Sequence, residues 1–197
     1  MRSRRTAALV GGVVLILATA ASAWAAALTP GSLVQVSGAS PLAGCTADNI
    51  AGQSGTAFVG SEVEPWVDVN PTNPANIVGI WQQDRWSNGG SRGLVVGRSA
   101  TGGTSWTAVT TLKTTLCTGG TAANGGGYQR ATDPWVSFGP TGIVYQLSLS
   151  FNDVSPPFTT FDFDHALRAS RSTDGGLTWS DPVVVIRDTA PTVFNDK

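Results

Sequence analysis

A chain of 197 residues with 13% charged side chains and a formal net charge of −1 is long enough for one sizeable core and too weakly charged to hold nucleic acid by electrostatics. Its 24 glycines and 7 tryptophans, set among many Thr, Val and Ser and few Lys or Glu, disfavour long helices and suit short strands joined by tight turns. No helical apolar period appears beyond the first 27 residues, so the expected class is all-β.

At the start, Arg2, Arg4 and Arg5 precede an uncharged apolar run over 7–21 and then small residues. That order predicts a secretory signal peptide over 1–27, with Ala21-Ser22-Ala23 or Ala25-Ala26-Ala27 as cleavage sites. The run is shorter than the ~20 apolar residues that span a bilayer, which favours cleavage over a signal anchor and leaves no membrane contact in the exported chain. Loss of the three arginines takes the formal charge from −1 to −4. Residues 28–61, rich in Gly, Ala and Ser, are expected to form an N-terminal tether with one short strand at 33–36. Cys45 and Cys117 are the only cysteines, and in an oxidising compartment an even count predicts a disulfide pinning this tether to the loop after the first repeat. Two cysteines and the single His165 offer no recognisable metal spacing, so no metal and no cofactor are expected.

Two copies of one unit follow, over 62–132 and 133–197. Glu64-Pro65-Trp66-Val67 opens the first and Asp133-Pro134-Trp135-Val136 the second. Four strands are predicted in each, at 66–70, 77–82, 93–99 and 106–112, then at 135–138, 143–150, 165–172 and 179–186. Between the last two strands of the second unit lies Ser172-Thr173-Asp174-Gly175-Gly176-Leu177-Thr178-Trp179. Its acid can accept turn N–H groups, its glycines can take positive φ, and its indole can fold beneath the turn. The first unit carries a degenerate copy in which Ser99, Gly102, Gly103 and Trp106 are kept and Thr101 replaces the acid. A threonine hydroxyl caps a turn more weakly, which predicts a looser hairpin.

These stretches resemble the Asp-box, or BNR repeat, of the sialidase superfamily. The resemblance rests on Ser172, Asp174, Gly176, Thr178 and Trp179 and on the weaker first copy. It implies a β-propeller of six or seven four-stranded blades, two of them in this chain, and a secreted bacterial-type protein of which this is an N-terminal portion. It also implies an exo-α-sialidase type of glycoside hydrolase, or alternatively a propeller without catalysis that binds a sialoside-like glycan or a cell-surface protein. A purely structural blade pair is the third reading. Family enzymes use three arginines, an aspartate acid/base and a tyrosine nucleophile paired with glutamate. No arginine here is followed by Ile-Pro, the motif of the first of those arginines, and Tyr128 and Tyr145 match no nucleophile motif. No catalytic residue is therefore carried over.

Strand alternation puts both Asp-boxes on the face of the short turns. The second-to-third loops, expected at 83–92 and 151–164, share the opposite face with the linkers at 113–132 and 187–197, and long loops on a rigid scaffold are where sites are built. Glu64 and Asp133, expected just before equivalent innermost strands, should stand together there, with Arg130 and Arg85 leaning over a groove walled by Trp81 or Trp86. Such a groove suits a polar, sugar-like ligand; the alternative is that the arginines only neutralise the acids. Asp84 and Arg85 are expected on a solvated loop, as an ion pair or as a guanidinium offered to an anion. Asp153, Asp162 and Asp164 lack the glycine-centred spacing of a calcium loop, and His165 reads as a strand-end residue. Lys197 falls where Glu64 and Asp133 fall, which predicts a continuation beginning Pro-Trp.

Overall fold

The computed structural model describes residues 31–48, 55–109, 112–152, 164–189 and 195–196. The predicted signal peptide lies outside the described residues. Backbone contacts separate a first unit, Met1–Leu33, from a second, Val34–Lys197, which holds every strand.

The fold is all-β and antiparallel. β1 (Ala57–Val69), β2 (Ile77–Trp86), β3 (Ser91–Ser99) and β4 (Thr107–Val109) pair in sequence order, and β5 (Arg130–Phe138), β6 (Val144–Phe151), β7 (His165–Ser172) and β8 (Val183–Asp188) repeat the pattern. One bridge, Ser91 to Ala131, joins the two four-stranded modules into a single open sheet. The core lies between them. Val78, Ile80, Leu94 and Val96 of the first module meet Ala131, Val136 and Val144 of the second, with Leu112 from the linker and Trp179 and Phe138 at the margin. Alternate positions of β2 and β3 supply these residues, as period-two burial requires.

Both Asp-box hairpins are built as their sequences demand. The Ser172 hydroxyl accepts the Gly176 N–H at 2.9 Å, and Ser99 accepts the Gly103 N–H at the same distance. Each indole turns back onto a glycine carbonyl, Trp179 Nε1 to Gly176 at 3.2 Å and Trp106 Nε1 to Gly103 at 3.1 Å. The Asp174 carboxylate accepts the N–H groups of Leu177 and Thr178 and the hydroxyls of Thr178 and Ser172. Thr101 accepts only the Ser105 N–H from the backbone, at 2.9 Å. Burial alone would push the Asp174 pKa up; the bonds from Thr178, Ser172 and Leu177 outweigh it and hold the carboxyl at about 2. A folded-state value below the ~3.9 of an unfolded aspartate stabilises the fold fully above that value, and the contribution disappears as pH falls from about 4 to 2. Asp174→Ala is therefore expected to lower stability by about 1 kcal/mol at pH 7, discounted for exposure, and to differ from wild type by less than half of that at pH 2, where the native carboxyl is half protonated. Urea melts at the two pH values check it.

The two boxes and the β1–β2 turn gather on one face. Gly102 N–H donates to Ala75 O at 2.8 Å, and Asn76 Nδ2 reaches both Ser99 O (3.3 Å) and Gly175 O (3.0 Å). Arg98 Nε also donates to Gly175 O at 3.1 Å, so the second box is docked on the first module.

Several expected boundaries move. β1 and β5 begin well before their tryptophans, and Glu64-Pro65 and Asp133-Pro134 sit inside the strands as bulges, with pairing shifts between Val63 and Trp66 and between Thr132 and Trp135. A proline withdraws one ladder donor, and a bulge is where a sheet can accommodate that loss. β2 runs through to Trp86, so the expected loop over 83–92 is a tight turn at 87–90. Asp84 consequently lies fully buried in a strand rather than on a solvated loop. β8 starts at Val183 rather than at Trp179, and 33–36 forms no strand.

Cys45 and Cys117 are bridged, with their Cα atoms 5.6 Å apart. The bridge ties the N-terminal segment to the linker between the modules. Leu42 and Asp48 of that segment are buried, and Arg92 Nε contacts Asp48 Oδ2 at 3.0 Å. The part of the expected tether from Val36 to Asp48 is thus packed against the body, and β1 takes over at Ala57.

Candidate functional site

Glu64 and Asp133 occupy the same place in their modules. Both adopt left-handed backbone, φ 53° and 52°. For an acidic residue ahead of a proline this conformation is disfavoured by on the order of 1–3 kcal/mol, and it persists only where the surroundings impose it. Here the surroundings are the neighbouring strands. Gln82 of β2 donates through Nε2 to Glu64 Oε2 and also to Thr132 Oγ1 at 3.0 Å, linking the two bulges across the module boundary. One turn of the pleat further on, the half-exposed rings of Trp66 and Trp135 meet with centroids 4.3 Å apart and a 30° tilt. Glu64 itself is exposed. An acid-bearing edge with a tryptophan pair beside it is therefore built by the repeat.

The arginines do not face this edge in the expected way. Arg130 is fully buried; its Nη1 donates to Asn88 Oδ1 (2.8 Å) and Gly89 O (2.7 Å), and its guanidinium carbon lies 4.6 Å from the centre of the Trp86 ring. Arg85 Nη1 donates to Gly90 O at 3.0 Å. Both hold the 87–90 turn. Asp84 stands apart from them, accepting the Gly60 N–H at 2.8 Å and Gln83 Nε2 at 3.2 Å, with Arg92 Nη1 at 3.8 Å. Trp86 stacks on Arg130, whereas Trp81 points to the other side of the sheet.

On that other side is a groove of about 410 Å³ whose walls include Trp66, Trp81, Trp106, Val36 and Glu62. Sequence reading missed it, because Trp106 already had a role in the box and Val36 belonged to the expected tether. The available signal was the set of four tryptophans in the first module, and the sequence does not reveal which face each ring takes.

A second polar cluster surrounds Tyr128. Its hydroxyl is pushed up in pKa by burial and then by the Asp164 carboxylate to which it bonds. Asp164 is held by Arg187 through two contacts, Nε to Oδ1 at 2.8 Å and Nη2 to Oδ2 at 2.7 Å; these bonds raise the guanidinium above its ordinary range. The Tyr128 phenol is thereby held in its protonated form. His165 starts β7, buried, with its Nε2 accepting the Asn195 N–H at 3.0 Å. Asp153 and Asp162 lie outside the described residues. Asp48 lies within 4.8 Å of the Cys45 and Cys117 sulfurs, but both are spent in the disulfide and offer no thiolate to a metal.

No protein-family model matches the chain, and a search of curated proteins gives no match. The Cys45–Cys117 bridge is consistent with an extracellular location. Among the described residues no helix is long and apolar enough to cross a membrane.

Proposed function

We propose that the two modules are neighbouring blades of an exported Asp-box β-propeller resembling the sialidases, and that the edge carrying Glu64 and Asp133 takes a polar, glycan-like ligand. The observation that carries this reading is the paired strain: two acids at one register position, each kept at positive φ, beside a stacked tryptophan pair. Strained backbone recurs where a side chain must be held for a ligand, and a carboxylate next to an indole face supplies hydrogen-bond acceptance and ring stacking for a sugar. The repeated boxes support the blade reading, since each locks the outer hairpin of a four-stranded unit. The exposed apolar run of β8, Val183 to Ile186, supports it too, because a ring covers such faces with further blades.

Binding without hydrolysis is the role we assign to this chain's own residues. Tyr128 is directed at Asp164 and not at the Glu64 edge, and no family nucleophile motif is present. The exported product should bind oligosaccharides on a glycan array, and Glu64→Gln should weaken that binding about tenfold with an unchanged melting temperature. Release of the fluorophore from a fluorogenic sialoside by the same preparation would favour the hydrolase reading. An unaltered glycan profile in Glu64→Gln would remove the edge from consideration.

A further inference from the structure

Arg168 belongs neither to the Glu64 edge nor to the tryptophan-lined groove. It sits in the middle of β7, fully buried, directly opposite Ser148 of β6. Its Nη2 makes only long contacts to the carbonyls of Pro182 (3.3 Å) and Asn124 (3.5 Å), and its guanidinium carbon is 5.5 Å from the centre of the Tyr128 ring. The Nε and Nη1 groups, which form the other edge of the guanidinium, have no hydrogen-bond partner among the described residues. The same holds for the buried hydroxyls of Ser148 and Ser150. Strand alternation places Ser148, Ser150 and Arg168 on one face.

The charge does not balance either. Asp164, the acid of this cluster, is committed to Arg187 through both oxygens, which among the described residues leaves Arg168 in excess. A guanidinium does not deprotonate, and a buried, uncompensated cation is strongly unfavourable. Water could satisfy its N–H groups but not its charge.

We propose that Arg168, with the Ser148 and Ser150 hydroxyls, holds one small monovalent anion of chloride size between β6–β7 and the linker at 113–129. The Nε–Nη1 edge is a two-pronged donor fork, and the hydroxyls can turn their protons toward the same point. A divalent oxyanion would reverse the local charge instead of cancelling it. This site is distinct from the Glu64 edge and stands whether or not a glycan binds there.

An anion bound only by the folded state raises stability by mass action. In the full chain at constant ionic strength, replacing sodium gluconate by sodium chloride up to 200 mM is expected to raise the melting temperature by roughly 5 °C. In Arg168→Met the two salts should give the same melting temperature. Equal melting temperatures for the wild type in both salts, or a chloride response that survives in Arg168→Met, overturns the proposal. Should Arg168→Met fail to fold, bromide-soaked crystals of the wild type decide the matter. An anomalous peak within hydrogen-bonding reach of Arg168 Nε or Nη1 sustains the site, and its absence overturns it.

Discussion

Gly120→Ala is expected to destabilise the fold by about 4 kcal/mol, among the largest losses from any single methyl group in this chain. A Cβ at Gly120 would fall on the Gly126 carbonyl oxygen, well inside contact distance, and 2.6 Å from the Thr115 carbonyl oxygen. Neither is the end of a flexible side chain, so relief requires the linker backbone to move. That movement would break the Gly120 N–H bond to Thr115 O (2.7 Å) and the Gly126 N–H bond to Thr121 O (2.8 Å), which close the linker on itself. Gly44→Ala provides the contrast, because its Cβ would meet nothing within 4 Å; it should change stability by less than about 0.5 kcal/mol. Urea denaturation of the two variants tests the difference. Equal midpoints would mean that the linker carries no strain-sensitive packing.

Opening the Cys45–Cys117 bridge should have a similar effect by a different route. The cysteines are 72 residues apart, and freeing a loop of that length returns chain entropy to the unfolded state worth about 4 kcal/mol at 25 °C. The native side adds to it. Thr118 packs against Gly93, Thr115 Oγ1 donates to Arg92 O at 2.5 Å, and Arg92 in turn holds Asp48. The disulfide thus joins the N-terminal segment, β3 and the linker at one point. Denaturation with and without reductant, checked against Cys45→Ser/Cys117→Ser, should show the loss in both. A midpoint unmoved by reduction would place the stability elsewhere.

Both predictions fall on the linker at 113–129, which the sequence presents only as a Gly- and Thr-rich connection. Its compactness comes from Gly120 and Gly126 approaching carbonyls that are close in space, and no local pattern announces that. The Asp-boxes were legible for the opposite reason. Their partners lie within a few residues, so Asp174 and Thr101 could be compared as turn caps from sequence alone, and their hydrogen bonds differ in the expected direction. The disulfide was legible because two cysteines allow one pairing.

The candidate edge was legible in part. The repeat of acid, proline and tryptophan identifies Glu64 and Asp133 as equivalent, but it puts the strand starts at Trp66 and Trp135, whereas the prolines mark bulges inside longer strands. Gln83, Asp84 and Arg85 were read as a solvated loop because they are polar. The burial of Asp84 depends on partners distant in sequence, the Gly60 N–H and Arg92, which only the folded sheet supplies. Arg130 was expected over a groove and is instead turned into the 87–90 turn, since Asn88, Gly89 and Trp86 offer it two acceptors and a ring face. Within 36–48 only Cys45 announced an attachment; the burial of Leu42 and Asp48 and the Asp48–Arg92 contact leave no pattern in a Gly-, Ala- and Ser-rich stretch.

We propose a division of labour within each module, with the Asp-box between its third and fourth strands as scaffold and the acid-bearing bulge of its first strand as ligand face. Glycan affinity and melting temperature, measured together on Glu64→Gln and Asp174→Ala in the exported product, test it most directly. Opposite signatures are expected: Glu64→Gln loses affinity at constant melting temperature, and Asp174→Ala loses melting temperature at constant affinity of the folded fraction. Weakened glycan binding in Asp174→Ala with unaltered binding in Glu64→Gln, or no glycan bound by the wild type, would contradict it.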